Sequence, residues 1–176
     1  MGSHYKFKLV LFGNPAVGKT SIIDRYVNNK FEQEYLSTLG YNVFEKTIEI
    51  NEDSVSFMIF DIGGQETFQN LRKVYAAEAK VALLVYDITD RFSFDNIKNW
   101  HKDLMDFTEK ASFILIGNKV DLQNERRVQR QEGEVLAKEL GAGGFFETSA
   151  KNNEGIDDAF QTLARKILYR IAYLEV

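Results

Sequence analysis

The sequence predicts an α/β fold, a six-stranded and mostly parallel sheet with helices on both faces and one antiparallel edge strand. Three observations carry that expectation. Short apolar runs alternate with helical patterns along the chain. Several of these runs are apolar almost throughout, as strands covered on both faces must be. The alternation breaks once, where two strand patterns flank the turn residues Asn51 to Asp53 and read as a hairpin.

Taken in order, "KFKLVLFG" (6–13) reads as the first strand and 18–29 as the first helix. "YNVFEKTIEI" (41–50) and "SVSFMIFD" (54–61) form the hairpin, and a helix follows over about 66–79. "KVALLVYD" (80–87) precedes a helix at 92–109, where Phe94, Ile97, Leu104 and Phe107 fall near a 3.6 period. "SFILIGN" (112–118), a helix at 130–140 and "GGFFETS" (143–149) continue the pattern, and "GAGG" (141–144) supplies a helix stop and a turn. The last helix, 154–172, carries Ile156, Phe160, Leu163, Ile167 and Ile171 in one stripe, and "NEGIDD" gives its first turn acidic residues that suit the helix dipole. Its expected role is to pack on the sheet.

A length of 176 residues with 44% apolar composition suffices for one domain with its own core. The opening Met-Gly-Ser-His resembles a tag remnant, so residues 1–5 are set aside and a single domain is expected over 6–174. A net charge of -4, with no basic stripe, argues against nucleic acid as a partner. The absence of cysteine removes disulfides, thiolate metal sites and prenyl or palmitoyl anchors, which fits a cytoplasmic setting, peripheral to membranes through partners if at all. No run approaches the roughly 18 apolar residues of a membrane span.

"GNPAVGKT" (13–20) matches G-x-x-x-x-G-K-S/T and lies between the first strand and the first helix, the context a phosphate loop requires. Asn14, Pro15, Ala16, Val17, Gly18, Lys19, Thr20 and Ser21 are the expected binding residues. Main-chain N–H groups from Ala16 to Thr20 can wrap phosphate at a helix N-terminus, Lys19 can reach the outer phosphates, and the Thr20 hydroxyl can join magnesium. This motif leaves the base open, with ATPases, nucleotide kinases and GTPases all fitting it.

"NKVD" (118–121) narrows the choice. A carboxylate only accepts hydrogen bonds, so Asp121 suits guanine, whose ring N–H and exocyclic amine are adjacent donors. Two charge-assisted bonds of roughly 1.5 to 3 kcal/mol each would favour guanine over adenine by about 3 to 6 kcal/mol. Asn118 braces the loop in this reading and the Lys119 stem lies over the base. "ETSAK" (147–151) reaches the same edge, where the Ala150 N–H can donate to the guanine carbonyl with Ser149 and Lys151 beside it. Thr148 or Ser149 could equally cap a helix.

These three motifs, together with "YLSTLGY" (35–41) and "FDIGGQE" (60–66) between the first and the second, stand in order and at matching spacing and resemble a small GTPase of the Ras superfamily over residues 6–172, with the P-loop NTPase fold of small G proteins. "ETSAK", with no insert between it and "NKVD", is most similar to the Rab branch. The resemblance implies that Phe31 packs edge-on against guanine, that Thr38 joins Thr20 on magnesium, and that Asp61 holds the ion through water. It also implies that Gly64 senses the terminal phosphate through its N–H and that Gln65, with Lys19, is catalytic. The cofactors are Mg2+ and GTP or GDP. The implied role is a GTP/GDP-dependent switch with slow intrinsic hydrolysis, in membrane trafficking or signalling. Effectors, exchange factors and GTPase-activating proteins would read segments of about 32–44 and 62–76, and a monomer is expected. A nucleotide-holding scaffold without turnover is the alternative.

Several positions depart from the Rab pattern. Phe60, Ile62 and Gly63 stand where Trp, Thr and Ala are usual, and "DIGGQ" resembles the Arf and G-alpha branches instead. An extra glycine there offers backbone freedom beside Gly64. Pro15 lacks an N–H and is expected to crowd the space beside the terminal phosphate. "ERRVQR" (125–130) reads as a solvated loop, and His101 as a residue on a polar helix face. Trp100 and Tyr75 fit core or partner contacts equally well.

Overall fold

In a computed structural model, which describes residues 1–32 and 38–174, the expected alternation appears as six strands and six helices among the described residues. The order is β1 (His4–Phe12), α1 (Lys19–Asn28), β2 (Tyr41–Ile50), β3 (Asp53–Ile62), α2 (Gln69–Ala76), β4 (Val81–Asp87), α3 (Arg91–Asp95), α4 (Ile97–Phe107), β5 (Ser112–Asn118), α5 (Arg130–Leu140), β6 (Phe145–Thr148) and α6 (Ile156–Leu174). The sheet runs β2-β3-β1-β4-β5-β6, antiparallel between β2 and β3 and parallel elsewhere.

The two-residue period of a strand sorts the central side chains into two layers. Leu9, Leu11, Leu83, Val85, Ile114 and Ile116 face α1 and α6, meeting Ile22, Ile23, Phe160 and Leu163. Val10, Phe12, Ala82, Leu84, Tyr86 and Leu115 face the opposite side, where Ala76, Ile97, Trp100, Leu104 and Leu136 cover them. The α6 stripe of Ile156, Phe160, Leu163 and Ile167 is buried as its spacing predicts. Each such side chain contributes about 1.5 to 3 kcal/mol relative to remaining exposed.

Register places the chemistry at one edge. Leu11 lies opposite Asp61, Asp87 opposite Asn118, and Asn118 opposite Thr148, so the carboxyl ends of β1, β3, β4, β5 and β6 are level. Ligands of such sheets bind beyond that edge.

Some boundaries differ from the sequence reading. β1 starts at His4, not at residue 6, because His4 and Tyr5 find ladder positions opposite Ser54 and Val55 while the Ser3 N–H donates to Asp53 Oδ1 at 2.8 Å. The helix read over 92–109 is two helices. Its break falls at Asn96, whose backbone sits at φ -81 and ψ -5, and the apolar period survives it because both pieces cover the same face. The helix read over about 66–79 opens with a 3-10 turn, Glu66–Phe68, and ends at Ala76, where Ala77 turns extended. Gly141 stops α5 in the left-handed region at φ 76, as "GAGG" suggests. "ERRVQR" is not simply solvated, since the Arg126 guanidinium donates from both Nη atoms to the Glu147 carboxylate at 2.6 and 2.9 Å. Residues 33–37, within the segment 32–44, lie outside the described residues.

Candidate nucleotide-binding site

A pocket of about 490 Å³ opens at the carboxyl edge. The turn between β1 and α1 contributes Pro15, Ala16, Gly18, Lys19, Thr20 and Ser21. Phe31, Thr38, Gly64 and Gln65 close one side, and Asn118, Lys119, Asp121, Ala150 and Lys151 the other. The remaining expected residues stand behind this wall. Val17 is in the core at 1% exposure, and the Asn14 side chain accepts from Trp100 Nε1 and Asn96 Nδ2, both at 2.7 Å. Neither side chain faces the pocket, so their part in any ligand contact falls to the main chain.

The phosphate loop is shaped by its glycines. Gly18 sits at φ 100, and a β-carbon on it would lie 2.3 Å from Asn118 Nδ2. Lys19 is buried, its Nζ donating to the carbonyls of Gly13 at 2.7 Å and Asn14 at 2.9 Å. Burial pulls its ammonium down to about 8, against the opposing pull of the Asp61 carboxylate. Anionic oxygens entering the pocket would favour the charged form, so this lysine is poised for phosphate.

Beside it, three side chains from three elements converge. Thr20 Oγ1 donates to Asp61 Oδ2 at 2.5 Å and lies 2.7 Å from Thr38 Oγ1. Asp61 is fully buried, and burial holds its carboxyl above the usual range despite Thr20 and Lys19. Its second oxygen, Oδ1, is buried with no hydrogen-bond partner. Two hydroxyls and an orphaned carboxylate oxygen form an all-oxygen donor set, which fits a hard divalent ion that takes its other ligands from phosphate and water. Among the described residues no group of three His, Cys, Asp or Glu offers another metal centre.

Gly64 lies against the phosphate loop, where a β-carbon would come 2.4 Å from the Gly13 carbonyl and 2.8 Å from Pro15 N. Gly63 is required for clearance rather than freedom. Its φ is not in the left-handed region, yet a β-carbon would meet the Thr38 carbonyl at 2.6 Å and the Phe68 ring at 2.7 Å. That contact brings the two expected switch segments together. Phe60, in place of the usual Trp, stacks on Tyr75 at 5.5 Å, and Tyr75 meets Tyr41 at 4.3 Å.

At the opposite end, the Asn118 side chain braces the pocket wall. Its Nδ2 donates to Val17 O at 3.0 Å and its Oδ1 accepts from Thr148 Oγ1 at 2.9 Å, which ties three loops together. Asp121 Oδ1 accepts from Ser149 Oγ at 2.7 Å, fixing the carboxylate's direction. Thr148 and Ser149 cap no helix, because α6 begins only at Ile156. Arg25 donates to the carbonyls of Ala150 at 2.8 Å and Lys151 at 2.9 Å, which leaves the Ala150 N–H side of the loop to the pocket.

Sequence reasoning missed the supports. Lys119 Nζ pairs with Asp87 Oδ2 at 2.8 Å and donates to Ala16 O at 2.7 Å, so the end of its stem is pinned across the pocket wall. Asp87 ends β4 much as Asp61 stands next to the end of β3, and that parallel was the available signal. Arg25 belongs to no motif, and although Glu147 opens "ETSAK" and Arg126 lies in "ERRVQR", the supporting roles of all three become visible only through contacts. Trp100 is a core residue, 6% exposed, and His101 packs beside Phe113 with ring centroids 5.1 Å apart.

A glycine loop on a helix N-terminus, an oxygen donor set beside it and a carboxylate aimed across the same pocket define a P-loop nucleotide-binding protein of small G-protein architecture. Comparison with known proteins agrees. A family model described as Ras family matches residues 8–169. Ras-related protein Rab-13 of Rattus norvegicus is 42% identical over 168 residues, covering 93% of this chain and 81% of its own. Ras-related protein Rab-21 of Homo sapiens is 40% identical over 168 residues, covering 95% of this chain and 74% of its own. The chain belongs to the Ras family and is a Rab-like small GTPase that binds guanine nucleotide and hydrolyses GTP.

Proposed function

We propose that this GTPase is a molecular switch with slow intrinsic hydrolysis, acting in intracellular membrane trafficking or signalling from the cytoplasm. The observation that supports it best is the convergence of Lys19, Thr20, Thr38, Gly64, Gln65 and Asp121 on one pocket at the carboxyl edge. In this reading Gln65 orients the attacking water. Lys19 and the phosphate-loop N–H groups hold the transferring phosphoryl group, and Gly64 N–H senses it. Thr20, Thr38 and Asp61 would hold Mg2+, whose charge, when bound, neutralises the outer phosphate oxygens. Asp121 and the Ala150 N–H read guanine, Phe31 and the Lys119 stem flank it, and Ser149 and Asn118 fix the loops.

Loss of the terminal phosphate removes what draws Thr38 and Gly64 to the pocket. The Thr38 carbonyl packs against Gly63, so release of one segment loosens the other, about 32–44 and 62–76. Effectors, exchange factors and activators would read that change on a monomer. Pro15 lines the pocket beside Gly64, where it would narrow the approach of an activator's arginine. The decisive experiment identifies the nucleotide retained through purification and times single-turnover hydrolysis with Mg2+. Guanine nucleotide with slow, Mg2+-dependent turnover supports the switch; nucleotide held without any turnover would favour a scaffold that signals by its surface alone.

A further inference from the structure

Arg72, on α2, is a cation at 3% exposure whose contacts are carbonyls and a ring face. Its Nη1 donates to Gly63 O at 2.8 Å and to Gln65 O at 2.7 Å, so one nitrogen grips both ends of the turn that carries Gly64. The guanidinium lies 4.8 Å from the centroid of the Trp100 ring. Trp100, the single tryptophan of the chain, donates its indole N–H to Asn14 Oδ1 at 2.7 Å, and the Asn14 main-chain carbonyl accepts from Lys19 Nζ at 2.9 Å. A continuous run of contacts therefore joins the main chain of Gln65 to the phosphate loop through Arg72, Trp100 and Asn14.

This arrangement is costly unless it does something. Burying a guanidinium among carbonyls and an indole gives up hydration, and its Nε is buried with no hydrogen-bond partner. Among the described residues, Asp103 is the acidic side chain that counteracts the burial. A methionine or leucine at this position would fill the same space without that penalty. What the guanidinium adds is geometric: a planar group over a fixed ring, whose Nη1 holds two N–H bonds in one plane, one for each carbonyl.

We propose that Arg72 is a positioning residue for GTP hydrolysis. Through the Gly63 and Gln65 carbonyls it sets the turn that aims Gln65 into the pocket, and through Trp100 and Asn14 it references that turn to the phosphate loop. Arg72 does not line the pocket and touches no reacting atom. Its action is on the residue that does, so this inference rests on the water-orienting reading of Gln65.

The test compares wild type with Arg72→Met, Arg72→Lys, Gln65→Leu and the Arg72→Met/Gln65→Leu pair, each loaded with GTP and followed by single-turnover hydrolysis and by GDP affinity. Misplacing a catalytic group by about 1 Å can cost on the order of a hundredfold in rate, so Arg72→Met is expected to slow hydrolysis by about tenfold to a hundredfold. GDP affinity should change by less than about threefold, because the base and phosphate contacts lie elsewhere. Arg72→Lys, which keeps one donor and the charge, should recover part of the rate, and the paired variant should hydrolyse no slower than Gln65→Leu alone.

If Gln65→Leu slows hydrolysis and Arg72→Met does not, the positioning role is wrong while the Gln65 reading stands. If Gln65→Leu leaves the rate unchanged, the Gln65 reading itself has failed. An Arg72→Met protein that loses GDP affinity and rate together, with no recovery by lysine, would mark a structural role and overturn the proposal.

Discussion

Asp121→Asn exchanges one acceptor oxygen for a donor at the point where the base is read. In the folded protein Asp121 Oδ1 already accepts from Ser149 Oγ at 2.7 Å. An asparagine keeps an oxygen for that bond, so the loop holds its shape and the loss falls on the base. Its amide nitrogen then points donors at the donors of guanine. Forfeiting two charge-assisted bonds of roughly 1.5 to 3 kcal/mol each weakens binding by about 3 to 6 kcal/mol, a loss of roughly a hundredfold to ten-thousandfold. Xanthine presents a carbonyl where guanine has its amine, and the new donor should meet it. Calorimetric titration of nucleotide-free protein with GDP and with XDP measures both affinities. The expected result is a reversal of preference; a variant that still prefers GDP by the wild-type ratio would refute Asp121 as the base reader.

Three other perturbations address the phosphate end. Gln65→Leu is expected to slow GTP hydrolysis by at least tenfold with GTP affinity nearly unchanged, measured as phosphate release in a single turnover. Lys19→Ala removes the buried ammonium and should abolish tight binding, so this variant should purify without stoichiometric GDP. Gly64→Ala forces a β-carbon to within 2.4 Å of the Gly13 carbonyl and 2.8 Å of Pro15 N, and should push the turn off the phosphate loop. Its signature would be weakened discrimination between GTP and GDP, read from competitive displacement of a fluorescent nucleotide.

Gly63 and Gly64 do related but separate work. Gly64 lets the turn lie on the phosphate loop, whereas Gly63 lets the Thr38 carbonyl lie on the turn. The Arf-like spelling at 62–64 therefore has a packing reason in this chain, close approach of the two switch segments, with no appeal to backbone freedom. Arg72 completes the assembly from beneath by bonding the carbonyls on either side of Gly64.

The sequence by itself determined the sheet, its antiparallel edge and most of the residues that line the pocket. Apolar periodicity and motif spacing are local properties, and hydrophobic burial forces them into one arrangement. Strand register was implicit as well, since a strand with Asp61, Asp87, Asn118 or Thr148 at or next to its last position must bring that residue to the carboxyl edge. Only the tertiary structure decided what holds the site in place. Asn14 reads as a phosphate-loop residue in sequence, yet its side chain anchors Trp100 and Asn96, 86 and 82 positions away. Arg25 holds the Ala150 loop from α1, Arg126 locks Glu147, and Asp87 pins Lys119. These contacts join segments with no shared pattern, because a hydrogen bond depends on where two groups meet in space, and that meeting is set by how helices pack on the sheet rather than by spacing along the chain.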